Sequence, residues 1–111
     1  MACACAVTVP AFAHAFLDHA QPPVGGAVHS PPREVRLWFT ERLERAFSRA
    51  RVVDSAGRDV SEGESRIDPN DDTLMIVSLH PLTAGTYRVV WRVVSVDTHV
   101  TEGDFTFDVG P

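Results

Sequence analysis

The chain has 111 residues, which suits one globular domain, and 44% of them are hydrophobic, the ordinary proportion for a protein with a buried core. Its formal net charge of −5 comes from 15 acidic and 10 basic residues, and every basic residue is an arginine. The arginines are scattered among acids and form no basic run, which argues against a nucleic-acid-binding function.

Residues 1–13, MACACAVTVPAFA, carry no charge and end in the small-x-small triplet Ala11-Phe12-Ala13. An apolar run with this ending is typical of a secretory signal peptide, although its start lacks the usual basic residues. An ordinary first strand is the alternative, and the run is too short to cross a bilayer as a helix. We therefore predict export, cleavage after Ala13, and a mature domain of residues 14–111 that does not insert into the membrane.

Cleavage after Ala13 would make His14 the first residue of the mature chain. An N-terminal histidine offers two nitrogen donors, its α-amine and its ring Nδ1, which together can chelate one metal ion. A second imidazole would complete a plane of three nitrogens, an arrangement that suits Cu(II). The same cleavage would remove Cys3 and Cys5, so the mature domain would have no disulfide and no thiolate ligand for Cu(I).

Alternating hydrophobic residues predict β-strands along the rest of the chain. The clearest segments are EVRLWF, TLMIVSL, GTYRVVWRVVS and GDFTFDV, and weaker strands are expected at 16–19, 50–54 and 66–68. Turn signals separate them, and residues 41–49 are interpreted as an irregular crossing between sheets, with a helical turn as the alternative. The predicted fold class is all-β: a Greek-key β-barrel or sandwich of about seven strands.

The segment VVSVDTHVTEG places Asp97 and His99 two residues apart after a strand-like run. In an extended segment such residues point to the same side, so the carboxylate and the imidazole would converge and offer an oxygen and a nitrogen to a metal. A solvated loop is the alternative, because Asp-x-His is a common tripeptide. Three further histidines are interpreted as surface or turn residues: His19, His29 and His80.

In their order and spacing, the segments HAFLDHAQPPVGG, VRLWFTERLE and PLTAGTYRVVWRVVSVDTHVTEGDFTFDV resemble the CopC family of periplasmic copper-binding proteins over essentially the whole predicted mature length. The resemblance implies a small barrel, cupredoxin-like or immunoglobulin-like, that binds Cu(II). The ligands it implies are His14, Asp97 and His99, with Glu41 beside the metal in a supporting role. Some members also hold Cu(I) in a methionine-rich loop, but the corresponding VVDSAGRDVSEGES has no methionine, so a Cu(II)-only member is expected.

These features predict a non-enzymatic periplasmic protein of copper resistance and homeostasis. It would bind one Cu(II) and carry or buffer it, with the copper ion and an inner-membrane copper transport protein as partners. A histidine-brace copper monooxygenase is the enzymatic alternative, but an aspartate ligand would oppose its redox cycling. A metal-free immunoglobulin-like structural module is the third possibility, and it would leave His14 and the Asp-x-His motif without a role.

Overall fold

The computed structural model describes residues 16–111, which form β-strands and no helix. In that part of the chain there is accordingly no helix that is long and apolar enough to span a membrane. The predicted signal peptide, 1–13, and His14 lie outside the described residues. The strands are β1 (Leu17–Gln21), β2 (Ala27–Val28), β3 (Glu34–Phe39), β4 (Arg49–Val53), β5 (Arg66–Ile67), β6 (Leu74–Ser78), β7 (Gly85–Val94) and β8 (Val100–Val109).

The strands form two four-stranded sheets, which confirms the predicted all-β sandwich. The first sheet has the order β1-β3-β6-β5 and the second has the order β2-β8-β7-β4. Neighbours are antiparallel except β2 and β8, which run parallel. Of the eight strands in residues 16–111, the two-residue strand β2 is the one that the sequence-based prediction of about seven strands lacks. Residues 41–49 connect β3 in the first sheet to β4 in the second without forming a helix, which confirms the predicted irregular crossing.

The core lies between the inner faces of the two sheets. The predicted alternation is confirmed in β3, β7 and β8, where hydrophobic side chains at every second position point inward and the residues between them face outward. Burial of these apolar side chains is the main stabilising contribution to the fold. The most deeply buried hydrophobic side chains of the whole core are Val35, Leu37, Val52, Met75, Val77, Val89, Val93 and Phe107.

Strand β6 is buried on both of its faces, as its unbroken hydrophobic run predicts. Met75 and Val77 point into the central core, whereas Leu74 and Ile76 are buried outside it, each with 5% of its surface exposed. Across the ladder, Leu74 lies opposite Trp38 and Ile76 lies opposite an arginine on each side. Long side chains can cover neighbouring apolar surface in this way while their polar ends stay in water.

A close approach between β7 and β8 requires a glycine. Gly103 pairs with Trp91, and a Cβ added at Gly103 would lie 2.3 Å from the indole Cζ2. The indole ring therefore occupies the space that any other side chain at position 103 would need. Its neighbours are Phe39, at 6.0 Å between ring centroids in an edge-on arrangement, and Phe105, at 6.2 Å. The glycine thus lets an aromatic cluster close the core at this point.

Candidate metal centre

The loop that joins β7 to β8, residues 95–99, is a tight turn held by its own backbone. The Ser95 N–H donates to the His99 carbonyl at 2.9 Å, and the Thr98 N–H donates to the Ser95 carbonyl at 2.8 Å. Thr98 has φ +73°, in the left-handed region that a threonine seldom adopts. The reversal it produces brings the ends of the two longest strands together.

Asp97 and His99 contact each other in this turn. Their closest atoms, Asp97 Oδ2 and His99 Nδ1, are 3.2 Å apart, and the side chains are 42% and 50% exposed respectively. The sequence-based argument placed the pair at the end of an extended strand, but β7 ends at Val94 and the residues converge because the turn curls between them. A carboxylate oxygen and an imidazole nitrogen therefore lie side by side at the surface, where an ion from solvent can reach them.

Ser95 forms hydrogen bonds with both residues of this pair. It is fully buried, its hydroxyl donates a hydrogen bond to Asp97 Oδ1, and its Oγ accepts from the His99 N–H at 3.3 Å. The hydrogen bond from Ser95 holds the pKa of the Asp97 carboxyl below its ordinary value; desolvation works against this shift and the His99 imidazole adds to it. Asp97 is consequently a carboxylate at neutral pH. Sequence reasoning missed Ser95, whose only signal is its place two residues before Asp97.

The crossing segment after β3 fixes the position of the turn. The Val96 N–H donates to the Arg42 carbonyl at 3.0 Å, and Leu43 forms a bridge with Ser95. Glu41, predicted to support the metal, is half-buried and immediately precedes Arg42. The turn is thus tied by backbone hydrogen bonds to the end of β3 and does not depend on its own two strands alone.

The start of the described chain reaches the same end of the sandwich. The Phe16 N–H donates to Thr40 Oγ1 at 2.9 Å, and the Thr40 N–H donates to the Phe16 carbonyl at 2.8 Å. Thr40 is two residues before Arg42, whose carbonyl holds the turn. Phe16 and the Asp97–His99 turn are therefore both anchored on the segment that follows β3. The third predicted ligand, His14, precedes Phe16 by two residues and lies outside the described part of the chain.

Within residues 16–111 no group of three or more His, Cys, Asp or Glu side chains could hold a metal ion. Asp97 and His99 supply two donors, a mixed nitrogen and oxygen pair that suits Cu(II), Ni(II) or Zn(II) and needs further ligands to complete a site. The other histidines have the surface positions that the sequence predicts. His19 stacks on Trp38 at 4.4 Å and contacts Asp18, while His29 and His80 are exposed.

The described chain is a small two-sheet β-sandwich that holds a histidine and an aspartate side by side on an end loop. The family model described as CopC domain matches residues 17–110, and the chain belongs to the CopC family. This match covers every described strand and the turn that bears Asp97 and His99. It confirms the family resemblance noted in the sequence.

Three relatives match most of the chain, and two of them are named for copper resistance or copper transport. It is 36% identical to copper resistance protein C of Escherichia coli over 110 residues, spanning 93% of this chain and 86% of that protein. It is 36% identical to protein YobA of Escherichia coli strain K12 over 93% of this chain and 84% of that protein. A 31% match to the copper transport protein CutJ of Bacillus subtilis covers 89% of this chain and only 18% of that longer protein.

Solved structures of the family have the same fold. CopC from Methylosinus trichosporium OB3b superposes with a TM-score of 0.82 at 34% identity, covering 88% of this chain and 95% of that one. PcoC, described as a methionine-rich copper resistance protein from Escherichia coli, gives a TM-score of 0.75 at 35% identity, covering 87% and 99%. The family is thus one of copper-binding proteins with roles in copper resistance, which at the family level supports binding in place of catalysis.

Proposed function

We propose that this protein is a periplasmic Cu(II)-binding protein of copper resistance and homeostasis. Its one copper ion is held by the α-amine and ring nitrogen of His14, once residues 1–13 have been removed, together with His99 and Asp97. The observation that carries this proposal is the Asp97–His99 pair, held by Ser95 in a turn that is anchored beside Phe16. A single residue, Ala15, lies between His14 and Phe16, so His14 is within short reach of this anchored position.

The chemistry of the donors favours Cu(II) over Cu(I). Amine and imidazole nitrogens with a carboxylate oxygen suit the tetragonal geometry of Cu(II), whereas Cu(I) prefers thiolate and thioether sulfur. Met75 has none of its surface exposed and is the only methionine among residues 16–111, so it cannot serve an open Cu(I) site. The low pKa of Asp97 leaves its carboxylate unprotonated and available to the ion at neutral pH.

The protein would carry or buffer copper for an inner-membrane copper transport protein. Support comes from the match to CutJ of Bacillus subtilis, a copper transport protein in which a domain like this chain makes up a small part of the length. A domain that is joined to a transport protein in one organism is a natural separate partner of such a protein in another. Glu41, next to the segment that holds the turn, is proposed to support the ligands without binding the metal.

The test compares two purified forms, residues 14–111 beginning at His14 and the same chain with one extra residue before His14. The first should bind one Cu(II) tightly in competition with a chelator, and the second should bind far more weakly because its α-amine has moved. His99→Ala should reduce the affinity of the first form by orders of magnitude, whereas the matched control His80→Ala should not. Equal affinity in the two forms would refute the amine ligand, and an unaffected His99→Ala would refute the whole site.

A further inference from the structure

Exposed apolar side chains gather around the candidate metal turn. Among residues 16–111 five large hydrophobic side chains are exposed, and only Val24 lies at the far end of the sandwich, where its neighbour Gly25 bonds to Thr106. Single exposed hydrophobic residues are normal, but a group of them at one place marks an interaction surface. The members nearest the turn are Phe47, Val96 and Val100, which are 58%, 41% and 47% exposed.

Two of these residues, Phe47 and Val100, are linked through Val94. Val100 pairs with Val94 across the β7–β8 ladder, and Ser48, adjacent to Phe47, bonds to both the N–H and the carbonyl of Val94. Val96 and Val100 also flank Asp97 and His99 in the sequence. We call Phe47, Val96 and Val100 the apolar rim. Any protein that touches this rim also lies next to the proposed copper ligands.

A groove of about 440 Å³ is the second part of this surface, on the outer face of the second sheet. It is lined by β4, β7 and β8, with Val90 and Gly103 among its apolar residues. Arg49 on β4 pairs with Arg92 on β7, and Arg92 pairs with Glu102 on β8. The Arg92–Glu102 pair is two residues along each strand from the Val94–Val100 pair. The groove therefore continues from the apolar rim along the outside of the sheet.

The charges of the groove are unbalanced on its β4 side. Arg92 pairs with Glu102 at 3.1 Å and Arg88 with Asp104 at 3.3 Å, so these four groups satisfy one another. Arg49 and Arg51 are exposed, and neither forms an ion pair with any carboxylate of residues 16–111. Two residues apart on one strand, they face the same side and are about 7 Å apart.

Two other carboxylates lie near these arginines. Asp59 and Glu64 line a neighbouring cavity together with Arg49 and Arg51 but do not pair with them. The guanidinium groups therefore remain available to an incoming carboxylate, which an arginine binds through two parallel hydrogen bonds. On a chain of net charge −5, this pair is a local positive feature that favours an acidic ligand.

We propose that the apolar rim and the Arg49–Arg51 groove form one docking surface for a partner protein that presents an acidic segment beside apolar side chains. Carboxylates of the partner pair with Arg49 and Arg51, and its apolar groups cover Phe47 and Val100. The role in copper transfer rests on the proposed function, since the docked partner lies beside Asp97 and His99. A bilayer is the poorer occupant, because Glu102, Asp104 and the net charge of −5 are repelled by anionic lipid.

The experiment measures binding to a short fluorescent peptide in which glutamate alternates with valine, and to a matched peptide with lysine in place of glutamate. It uses the chain of residues 14–111 without metal. The variants at the surface are Arg49→Glu with Arg51→Glu, and Phe47→Ser with Val100→Ser. The matched controls at the opposite end are Arg33→Glu and Val24→Ser, also at exposed positions. All six altered side chains are exposed, so the fold should survive, which a thermal melt checks.

The glutamate peptide should bind and the lysine peptide should not, with an affinity that falls as salt rises. Each surface variant should weaken binding at least about tenfold, whereas the controls should bind as the parent does. Equal binding by surface and control variants would overturn the proposal. The proposal would also be overturned if the peptide failed to bind while phosphatidylglycerol vesicles bound through the same residues, since the occupant would then be a membrane. Self-association of the parent chain that is lost in the surface variants would overturn it as well, because the occupant would then be a second copy.

Copper binding is measured on the same variants to separate this proposal from the proposed function. The surface variants keep Asp97, His99 and Ser95 and should bind Cu(II) like the parent. A parent chain that binds peptide but no copper would refute the copper site and leave the docking surface intact. A parent that binds copper but not the peptide would refute the docking surface alone.

Discussion

At the scale of single residues, one buried serine controls the candidate metal turn. Ser95 has no exposed surface, yet its hydroxyl reaches both Asp97 Oδ1 and the backbone N–H of His99. A buried hydroxyl that contacts both residues of a pair orients them before any ion arrives, and such supporting contacts commonly matter to metal affinity almost as much as the ligands. Ser95 is therefore a positioning residue that acts on the proposed metal ligands through hydrogen bonds.

Ser95→Ala should reduce the Cu(II) affinity of the form that begins at His14 by about 10–100-fold, because Asp97 loses the bond that orients it. The pKa of Asp97 should also rise toward its ordinary value, which an NMR titration of the metal-free protein measures. Ser48→Ala is the matched control, since Ser48 is also buried and bonds to the backbone of Val94, away from the ligands. If both variants weakened copper binding equally, Ser95 would be a general structural residue.

At the scale of secondary-structure elements, the β7–β8 hairpin connects the core to the candidate metal turn. It makes ten ladder pairs, from Gly85 with Val109 to Val94 with Val100. Two features hold it in place: the packing of Trp91 over Gly103 and the contacts of Tyr87 at the start of β7. Each can be tested with a single substitution outside the Asp97–His99 turn.

Gly103→Ala should destabilise the fold by about 1–3 kcal/mol, since the new Cβ would overlap the indole of Trp91 and force the ring to move. Urea unfolding followed by tryptophan fluorescence measures both the loss of stability and the altered surroundings of the ring. Gly110→Ala is the control, because a Cβ there would lie 3.5 Å from its nearest neighbour, the Val28 carbonyl oxygen. Equal stability of the two variants would show that the aromatic cluster tolerates a displaced Trp91.

Tyr87→Phe should destabilise the fold by about 1–2 kcal/mol while leaving copper affinity unchanged. The Tyr87 hydroxyl donates to the Thr83 carbonyl at 2.7 Å and accepts from the Thr83 N–H at 3.1 Å, which ties the chain before β7 to the strand itself. Phenylalanine keeps the ring contact with Phe107 and removes both bonds. Denaturant unfolding checks the stability, and a variant as stable as the parent would show that solvent replaces these bonds.

At the scale of the whole molecule, three aspartates on separate loops should govern stability in acid. A hydrogen bond lowers the pKa of each carboxyl group. Asp54 accepts from the backbone N–H of Arg58, Asp71 accepts from the side chain of Thr73, and Asp97 accepts from the side chain of Ser95. A carboxyl whose pKa is lower in the folded chain than in the unfolded one stabilises the fold above the unfolded value. That contribution is lost as pH falls through the folded value.

The free energy of unfolding of the metal-free protein should therefore decrease as pH falls below about 4. Urea titrations from neutral to strongly acidic pH measure this decrease. The double variant Asp54→Asn with Asp71→Asn should be less stable than the parent at neutral pH and should show a flatter pH dependence. Glu64→Gln, at an exposed loop position, is the control and should follow the parent curve. An unchanged curve in the double variant would assign the acid response to other groups.

Hydrophobic patterning is enough to predict the longer strands and their inward faces. Hydrophobic residues alternate in β3, β7 and β8 and form an unbroken run in β6. Because hydrophobic side chains must face the core, these patterns predict which residues are buried. The order of VDTH along the chain also marked Asp97 and His99 as a candidate pair, and the family resemblance agreed. These are local patterns, which a chain displays without knowledge of its folded neighbours.

How those local elements meet depends on contacts between residues far apart in the sequence. The strand β8 begins at Val100, ahead of its hydrophobic alternation, because pairing with β7 extends the ladder to the turn. The convergence of Asp97 and His99 depends on the left-handed Thr98 and on the buried Ser95, and neither is a property of spacing in an extended strand. The placement of Phe16 beside the turn depends on hydrogen bonds to the segment after β3, between residues far apart in sequence, and such contacts exist only once the two sheets have packed.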